Sequence, residues 1–479
     1  MQPVIPLSDP REPLYRQVYV GLRQAIREGS YRSGERLPST RDLAEQLGIS
    51  RTVVVLAYEQ LLSEGFVAGR GGSGTYVVDG VSAPHSGAAT KTAQLRLSRF
   101  GVSAASIAPE VDSLERRVPS LRYDFAYARS DVDCFPFEMW RRILLRCARE
   151  ASVRELDYGP TAGNEPLREA ICSHVRRSRA VACEPSQVMI VSGSQQALDL
   201  ITRVLLERGD RAAIEDPCYQ GTREILRAAG VRLLPVAVDR EGLNTAALPS
   251  NARMAFVTPS HQFPTGAILS LSRRQMLLQW ARQQNAVIVE DDYDGEFRYE
   301  GRRLESLQGL DTDGRVIYVG TFSRTVFSAL RLGYLILPKP LLPAFTAAKW
   351  LCDRHTATLE QEALAVFITS GLYERHLRRV RRKNGTARLV LLDAVKKRLG
   401  DRVEVTGDGA GAHIVLWLDE RSREETVIAA AAAEGVGVYG TAGYFLKPAP
   451  RPGLVLGYAR LSDGDIREGV RRLSKALRV

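Results

Sequence analysis

Leu14, Val18, Leu22 and Ile26 recur every four residues and predict one buried face of an amphipathic helix that stops at Gly29. Pro38-Ser39 opens a second helix. Ser39 is placed to cap it, Asp42 follows three residues on, Leu43, Ala44 and Leu47 face inward, and Gly48 ends it. Ser50 is expected to cap a third, with Val53, Ala57, Leu61 and Leu62 inward and Arg51, Thr52, Val55 and Tyr58 outward. Phe66-Val67 and Thr75 to Val78 read as two strands around the tip Arg70-Gly71-Gly72-Ser73-Gly74. The pattern predicts helix, helix-turn-helix and wing, with a third helix sized for a major groove.

From Leu121 onward the pattern changes to apolar strand-like runs alternating with amphipathic helices. Val188 to Val191 leads into Ser192-Gly193-Ser194-Gln195-Gln196 and a helix with Leu198, Ile201 and Leu205 inward. Strand, glycine turn and helix N-terminus form a phosphate-binding arrangement, because free backbone N–H groups point at the anion. Ala286 to Glu290 ends in Asp291-Asp292-Tyr293-Asp294, and Val316 to Val319 runs into Gly320-Thr321-Phe322-Ser323-Arg324, with Arg331 beyond. Polar clusters at strand ends are where open α/β sheets build their sites. Residues 80–120 are rich in Ala, Ser, Arg and Pro and read as a linker, although Leu95, Leu97, Phe100 and Ile107 leave room for a short docked helix. The expected division is 11–79, a linker over 80–120, and 121–479.

Composition narrows this picture little. Of 479 residues, 44% are hydrophobic and 25% charged, an ordinary globular balance. The net charge of +11 invites a nucleic-acid reading, yet residues 1–80 hold nine Arg and nine Asp plus Glu. A neutral DNA-binding module makes few phosphate contacts, so two modules in a dimer are expected. The six cysteines are scattered, with no metal-ligand spacing to the six histidines. No metal and no disulfide framework are expected, and a reducing cytoplasm fits. No apolar run approaches the ~18 residues that span a bilayer, and Met1 to Asp9 lacks a secretory pattern.

Two resemblances sharpen the reading. Leu14-Tyr15-x-Gln17, Gly34-x-Arg36-Leu37-Pro38-Ser39-x-Arg41-x-Leu43-Ala44, Ser50-Arg51, Ala57-Tyr58 and Gly72-Ser73-Gly74-Thr75 resemble the GntR-type winged helix. That resemblance implies binding to a double-stranded DNA operator, with Arg41, Arg51, Thr52 and Arg70 as contacts. The remainder resembles the fold-type I aminotransferases, which use pyridoxal 5′-phosphate (PLP). The match runs from Phe135-Pro136 and Trp140 through Tyr158-Gly159-Pro160-x-x-Gly163 and Asp216-Pro217-x-Tyr219. It continues through Pro259-x-His261-Gln262-x-Pro264-Thr265-Gly266 to Leu456-Gly457-Tyr458-Ala459. The two modules in this order resemble the MocR family. The implied fold is a winged helix-turn-helix (α+β) followed by an α/β aminotransferase-like domain, with a mixed, mostly parallel sheet and a small C-terminal α+β subdomain.

By the same resemblance Asp291 pairs with the pyridine nitrogen, Tyr293 donates to the phenolic oxygen, and Tyr219 stacks on the ring. Ser194, Gln195, Thr321 and Arg331 hold the phosphate, and His261 and Gln262 lie in the loop beside the ring. One position departs from the family. Where Ser-Lys is usual and the lysine forms a Schiff base, this chain has Ser323-Arg324. A guanidinium with a pKa above ~12 stays protonated and does not attack a carbonyl. Lys339 and Lys349 lie outside any matching motif. The C-terminal strand, Gly453-Leu454-Val455-Leu456-Gly457, also lacks the usual carboxylate-clamping arginine, with Arg451 and Arg460 only flanking it.

Three outcomes are open: PLP bound non-covalently or as a preformed amino-acid adduct, another small anion gripped by Arg324, or a scaffold that only dimerises the DNA modules. The expected function is a ligand-sensing transcription regulator and pseudoenzyme, a head-to-tail homodimer with swapped winged helices. The alternative is a working PLP-dependent aminotransferase with an appended DNA-binding domain. The basic stretch Arg375-His376-x-Arg378-Arg379-x-Arg381-Arg382-Lys383 reads as a solvated helix face, with DNA contact as a minority alternative.

Overall fold

Periodicity and capping chemistry account for the N-terminal unit. α1 (Leu14–Arg27) buries Val18, Leu22 and Ile26. α2 (Thr40–Leu47) starts at Ser39, whose side chain accepts the Asp42 N–H, and ends at Gly48 with φ 64°. α3 (Arg51–Ser63) buries Val54, Ala57, Tyr58 and Leu61, and its N-cap Ser50 makes no side-chain cap bond. This corrects the expected inward set. Tyr58 turns in because its hydroxyl donates to the Pro38 carbonyl at 2.8 Å, Val54 takes the place expected for Val53, and Leu62 lies on the surface. β1 (Val67–Arg70) and β2 (Gly74–Val77) form the hairpin, with Arg70 paired to Gly74. Arg70 and Gly74 therefore belong to the strands, and the tip is shorter than expected.

The computed structural model describes residues 7, 9, 11–81, 96–107, 121–127, 131–153, 156–299 and 304–477. The chain separates into two compact units, Met1–Arg96 and Leu97–Val479. Within the stretch read as a linker, α4 (Arg99–Ser106) is capped by Ser98, which accepts the Gly101 N–H at 3.0 Å. It packs on the helix Gln220–Ala229.

The second unit opens with the short β3 (Tyr123–Asp124) and is organised by eight strands. These are β4 (Val188–Val191), β5 (Arg211–Asp216), β6 (Arg232–Asp239), β7 (Gly242–Leu243), β8 (Met254–Val257), β9 (Val287–Asp292), β10 (Val316–Thr321) and β11 (Gly333–Ile336). Their order is β4-β11-β10-β9-β8-β5-β6-β7. β6-β5-β8-β9-β10 run parallel, and β11 and β7 are antiparallel to their neighbours. Unbroken apolar runs such as β4 and β8 are buried along their whole length because helices cover both faces. Val188, Ile190 and Tyr318 pack on one face with Leu167, Ile171 and Phe367. The alternate residues Met189, Val191, Ile317 and Val319 pack on the other with Leu198, Ile201 and Phe345.

A smaller C-terminal layer carries β12 (Glu404–Thr406), β13 (His413–Trp417), β14 (Val436–Gly437), β15 (Tyr439–Gly440) and β16 (Gly453–Gly457). β12-β13-β16-β15 form one antiparallel sheet, and β14 pairs with β3. Leu454 and Leu456 join Leu391, Ile466 and Val470 of the covering helices in its core, whereas Val455 points to the opposite face with Val415 and Trp417. The basic stretch lies on the helix Leu372–Arg398, with Arg375, Arg378, Arg379 and Arg382 exposed. Among the described residues no helix is long and apolar enough to cross a membrane.

Candidate functional site

The carboxyl ends of β4, β5, β8, β9 and β10 converge on one end of the large sheet. After β4, Gly193 takes φ 84° and starts the helix Ser194–Leu205 with no side-chain cap, so its first N–H groups stay available to an anion. Arg331, itself at φ 52°, donates from Nη2 to the Ser192 carbonyl at 3.0 Å. A Cβ on Gly193 would stand 2.7 Å from this guanidinium, which explains the glycine. Thr321 is paired with Gly333, whose approach to Gly193 brings it to the same corner. Tyr219 begins the helix Gln220–Ala229 and donates to Gln195 Oε1 at 3.5 Å. Ser194, Gln195, Tyr219, Thr321 and Arg331 therefore meet around one helix N-terminus.

Asp291, at the end of β9, has a buried Oδ1 without a hydrogen-bond partner. Burial, followed by the charges of Asp292, Asp294 and Glu215, pushes its carboxyl up to about 7. Neighbouring Asp292 instead accepts from Arg179 Nε at 2.7 Å and from the Tyr318 hydroxyl at 2.5 Å. Glu215 is also pushed up to about 7 by burial, and it takes the N–H and hydroxyl of Thr258. Gln262 is occupied internally: its amide donates to Glu215 and to the Pro217 and Phe263 carbonyls. It fixes the loop and faces no ligand space.

Arg324 sits over the Tyr127 ring at 4.5 Å and near the Tyr293 ring at 5.9 Å. No hydrogen bond or ion pair engages its guanidinium among the described residues. Burial opposes its charge, but the field of Tyr127, Asp294, Tyr293 and Tyr219 outweighs that, and its pKa is raised. The following residue is pinned from two sides. The Tyr373 hydroxyl donates to Thr325 Oγ1 at 3.0 Å and His376 Nε2 donates to the Thr325 carbonyl at 2.7 Å. The inward face of the basic helix thus holds the loop that carries Arg324. Lys349, in contrast, is fully buried and bonded to Asp353 at 2.8 Å and Thr356 at 3.1 Å.

His261, Asp294 and His413 also gather, with one ligand-capable atom from each within 4.8 Å of the others. Hydrogen bonds describe this group. His261 Nδ1 lies 3.1 Å from Asp294 Oδ2 and 3.1 Å from the Tyr293 hydroxyl, and His413 Nε2 donates to the Pro264 carbonyl at 2.9 Å. Burial, with His261 beside it, holds His413 well below the usual imidazole range.

On the first unit Arg41, Arg51, Thr52 and Arg70 are all exposed. Arg41 and the Arg51-Thr52 pair lie in the first turns of α2 and α3, where Arg51 Nε donates to Thr40 Oγ1 at 3.2 Å. Arg70 stacks over Tyr76 at 4.9 Å on the hairpin.

Residues 14–77 match the family of bacterial regulatory proteins called gntR, and residues 128–473 match aminotransferase class I and II. Over 97% of its length the chain is 36% identical to a probable rhizopine catabolism regulatory protein, MocR, of Rhizobium meliloti, covering 94% of that protein. The chain belongs to the MocR family. It is also 34% identical to the transcriptional regulator TauR of Rhodobacter capsulatus, covering 95% of this chain and 96% of TauR. Among solved structures, the α-aminoadipate aminotransferase LysN of Thermus thermophilus, complexed with N-(5′-phosphopyridoxyl)-L-leucine, aligns with a TM-score of 0.72. The identity is 31%, covering 79% of this chain and 97% of LysN.

This MocR-family chain is a DNA-binding transcription regulator, and its second unit has the fold of PLP-dependent aminotransferases. Its site contains side chains that motif reading missed. Tyr127 stacks on Phe263 at 4.7 Å and Phe263 meets Tyr444 edge-on at 4.8 Å, so an aromatic wall adjoins Arg324. Tyr127 and Tyr444 come from segments with no recognisable pattern, and only the fold brings them together.

Proposed function

We propose that the aminotransferase-like unit of this regulator binds a PLP-type ligand without a lysine link, and that the ligand's presence alters operator binding. The reading rests on Arg324, an unengaged cation against Tyr127 and Tyr293 at the place where the resemblance puts the reactive lysine. The residues present fit the group. The orphaned Asp291 Oδ1 suits a protonated ring nitrogen, the uncapped helix start and Arg331 suit a phosphate, and Tyr219 offers a ring face. When bound, PLP supplies an electron-withdrawing ring.

This chain's own residues do the rest. Asp291 holds a proton between itself and the ligand's nitrogen. Tyr293, held by His261, presents its hydroxyl to an anionic oxygen. Arg324 attracts a carboxylate through fixed charge and planar donors, and it cannot take up a proton from carbon because it never loses its own. Transamination is therefore not expected. The second units form a head-to-tail homodimer in this reading and carry two winged helices to one operator. The ligand acts only through unequal affinity for the two arrangements of the regulator.

The test combines equilibrium binding with reduction. The full chain is expected to bind PLP, release it on dialysis, and show no stoichiometric pyridoxyl mass after borohydride. Arg324→Lys is expected to gain that mass. A reducible one-to-one linkage in the unaltered chain, or measurable turnover of keto acids, overturns the reading.

A further inference from the structure

We infer that the ligand's amino-acid portion is a monocarboxylate with an aromatic or branched apolar side chain, and that Val455 helps to select it. The inference rests on the reading above, that a PLP-type adduct occupies the site. β16 alternates: Leu454 and Leu456 face the core of the small layer, and Val455 faces Val415 and Trp417, with Tyr127, Tyr444 and Phe445 packed against them. Tyr127 is also the ring beneath Arg324 at 4.5 Å. One apolar and aromatic wall therefore leads from the unengaged guanidinium to Val455.

The wall offers no second anion receptor. Arg451 donates to Glu404 at 2.6 Å and stacks over Trp417 at 5.0 Å, and Arg460 is exposed to solvent. A ligand with one carboxylate places it on Arg324 and buries its apolar group along Tyr444, Phe445 and Val455. A second carboxylate at that wall loses its water and gains no donor. The expected preference is roughly 10–100-fold, the worth of burying one leucine- or phenylalanine-sized group.

The probes are stable amine-linked adducts, N-(5′-phosphopyridoxyl)-L-leucine, -L-phenylalanine, -L-aspartate and -L-glutamate, titrated calorimetrically into the full chain. The leucine and phenylalanine adducts are expected to bind at least about 10-fold tighter than the other two. Arg324→Ala is expected to weaken all four, and Val455→Arg to narrow or reverse the order while PLP alone still binds. The series on the unaltered chain decides the matter whether or not Val455→Arg folds. Equal affinities, or tighter acidic adducts, overturn this inference and leave the non-covalent reading standing. If no adduct and no PLP binds, both fall.

Discussion

Asp291→Asn is expected to stabilise the ligand-free protein while weakening its hold on PLP. The parent carboxyl is pushed from 3.8 up to about 7, chiefly by burial. At 1.36 kcal/mol per pH unit, ionising it in the folded state costs on the order of 4 kcal/mol. The half-buried position admits some solvent, which lowers the figure to about 2–4 kcal/mol. The sign follows from linkage. A folded-state pKa above the unfolded one gives stability that is complete below the unfolded value and disappears as pH rises through about 7. Asparagine carries no charge to desolvate, so the variant's advantage over the parent grows by about 1–3 kcal/mol between roughly pH 5 and pH 8.5. Glu215, Glu290 and Glu296, also pushed up to about 7, keep a residual slope in both proteins. Chemical unfolding of the ligand-free chain at the two pH values measures the difference. An advantage that does not change with pH, or a variant less stable at the higher pH, refutes the reasoning.

Other substitutions probe separate parts of the molecule. Gly193→Ala forces a side chain into φ 84° and against Arg331 at 2.7 Å; phosphate-bearing ligands should bind at least about 10-fold more weakly in calorimetry, given ~1–3 kcal/mol of strain. Ser39→Ala removes the acceptor for the Asp42 N–H and should lower the stability of the winged-helix unit by about 1 kcal/mol in thermal melts. Arg51→Ala should weaken operator binding by about 1–3 kcal/mol in fluorescence anisotropy, and Arg70→Ala should reduce the slope of log affinity against log salt by about 1. Unchanged affinity and slope in both variants would remove those residues from the DNA surface.

Much of this architecture was legible because its causes are local. Ser39, Gly48 and the spacing of Leu14, Val18, Leu22 and Ile26 each act within a turn or two of helix. The inward face of α3 was misread for an equally local reason. Val53, Val54, Val55 and Leu56 are consecutive apolar residues, so periodicity alone could not phase the helix. The Tyr58 hydroxyl's bond to Pro38 decided it. Asp291, Tyr293 and Arg324 were readable because strand ends in this sheet order all face one way. Tyr127, Tyr444 and the Tyr373–His376 clamp on Thr325 were not, since each reaches the site from a segment remote in the chain.

β16 assigns two duties to neighbouring residues. Its even positions, Leu454 and Leu456, anchor the sheet, while Val455 between them is turned toward the ligand side. A replacement at 455 can therefore retune chemical taste without unseating the hydrophobic anchors on either side. Descendants of this gene have a route to new inducers that leaves folding largely undisturbed, one codon wide.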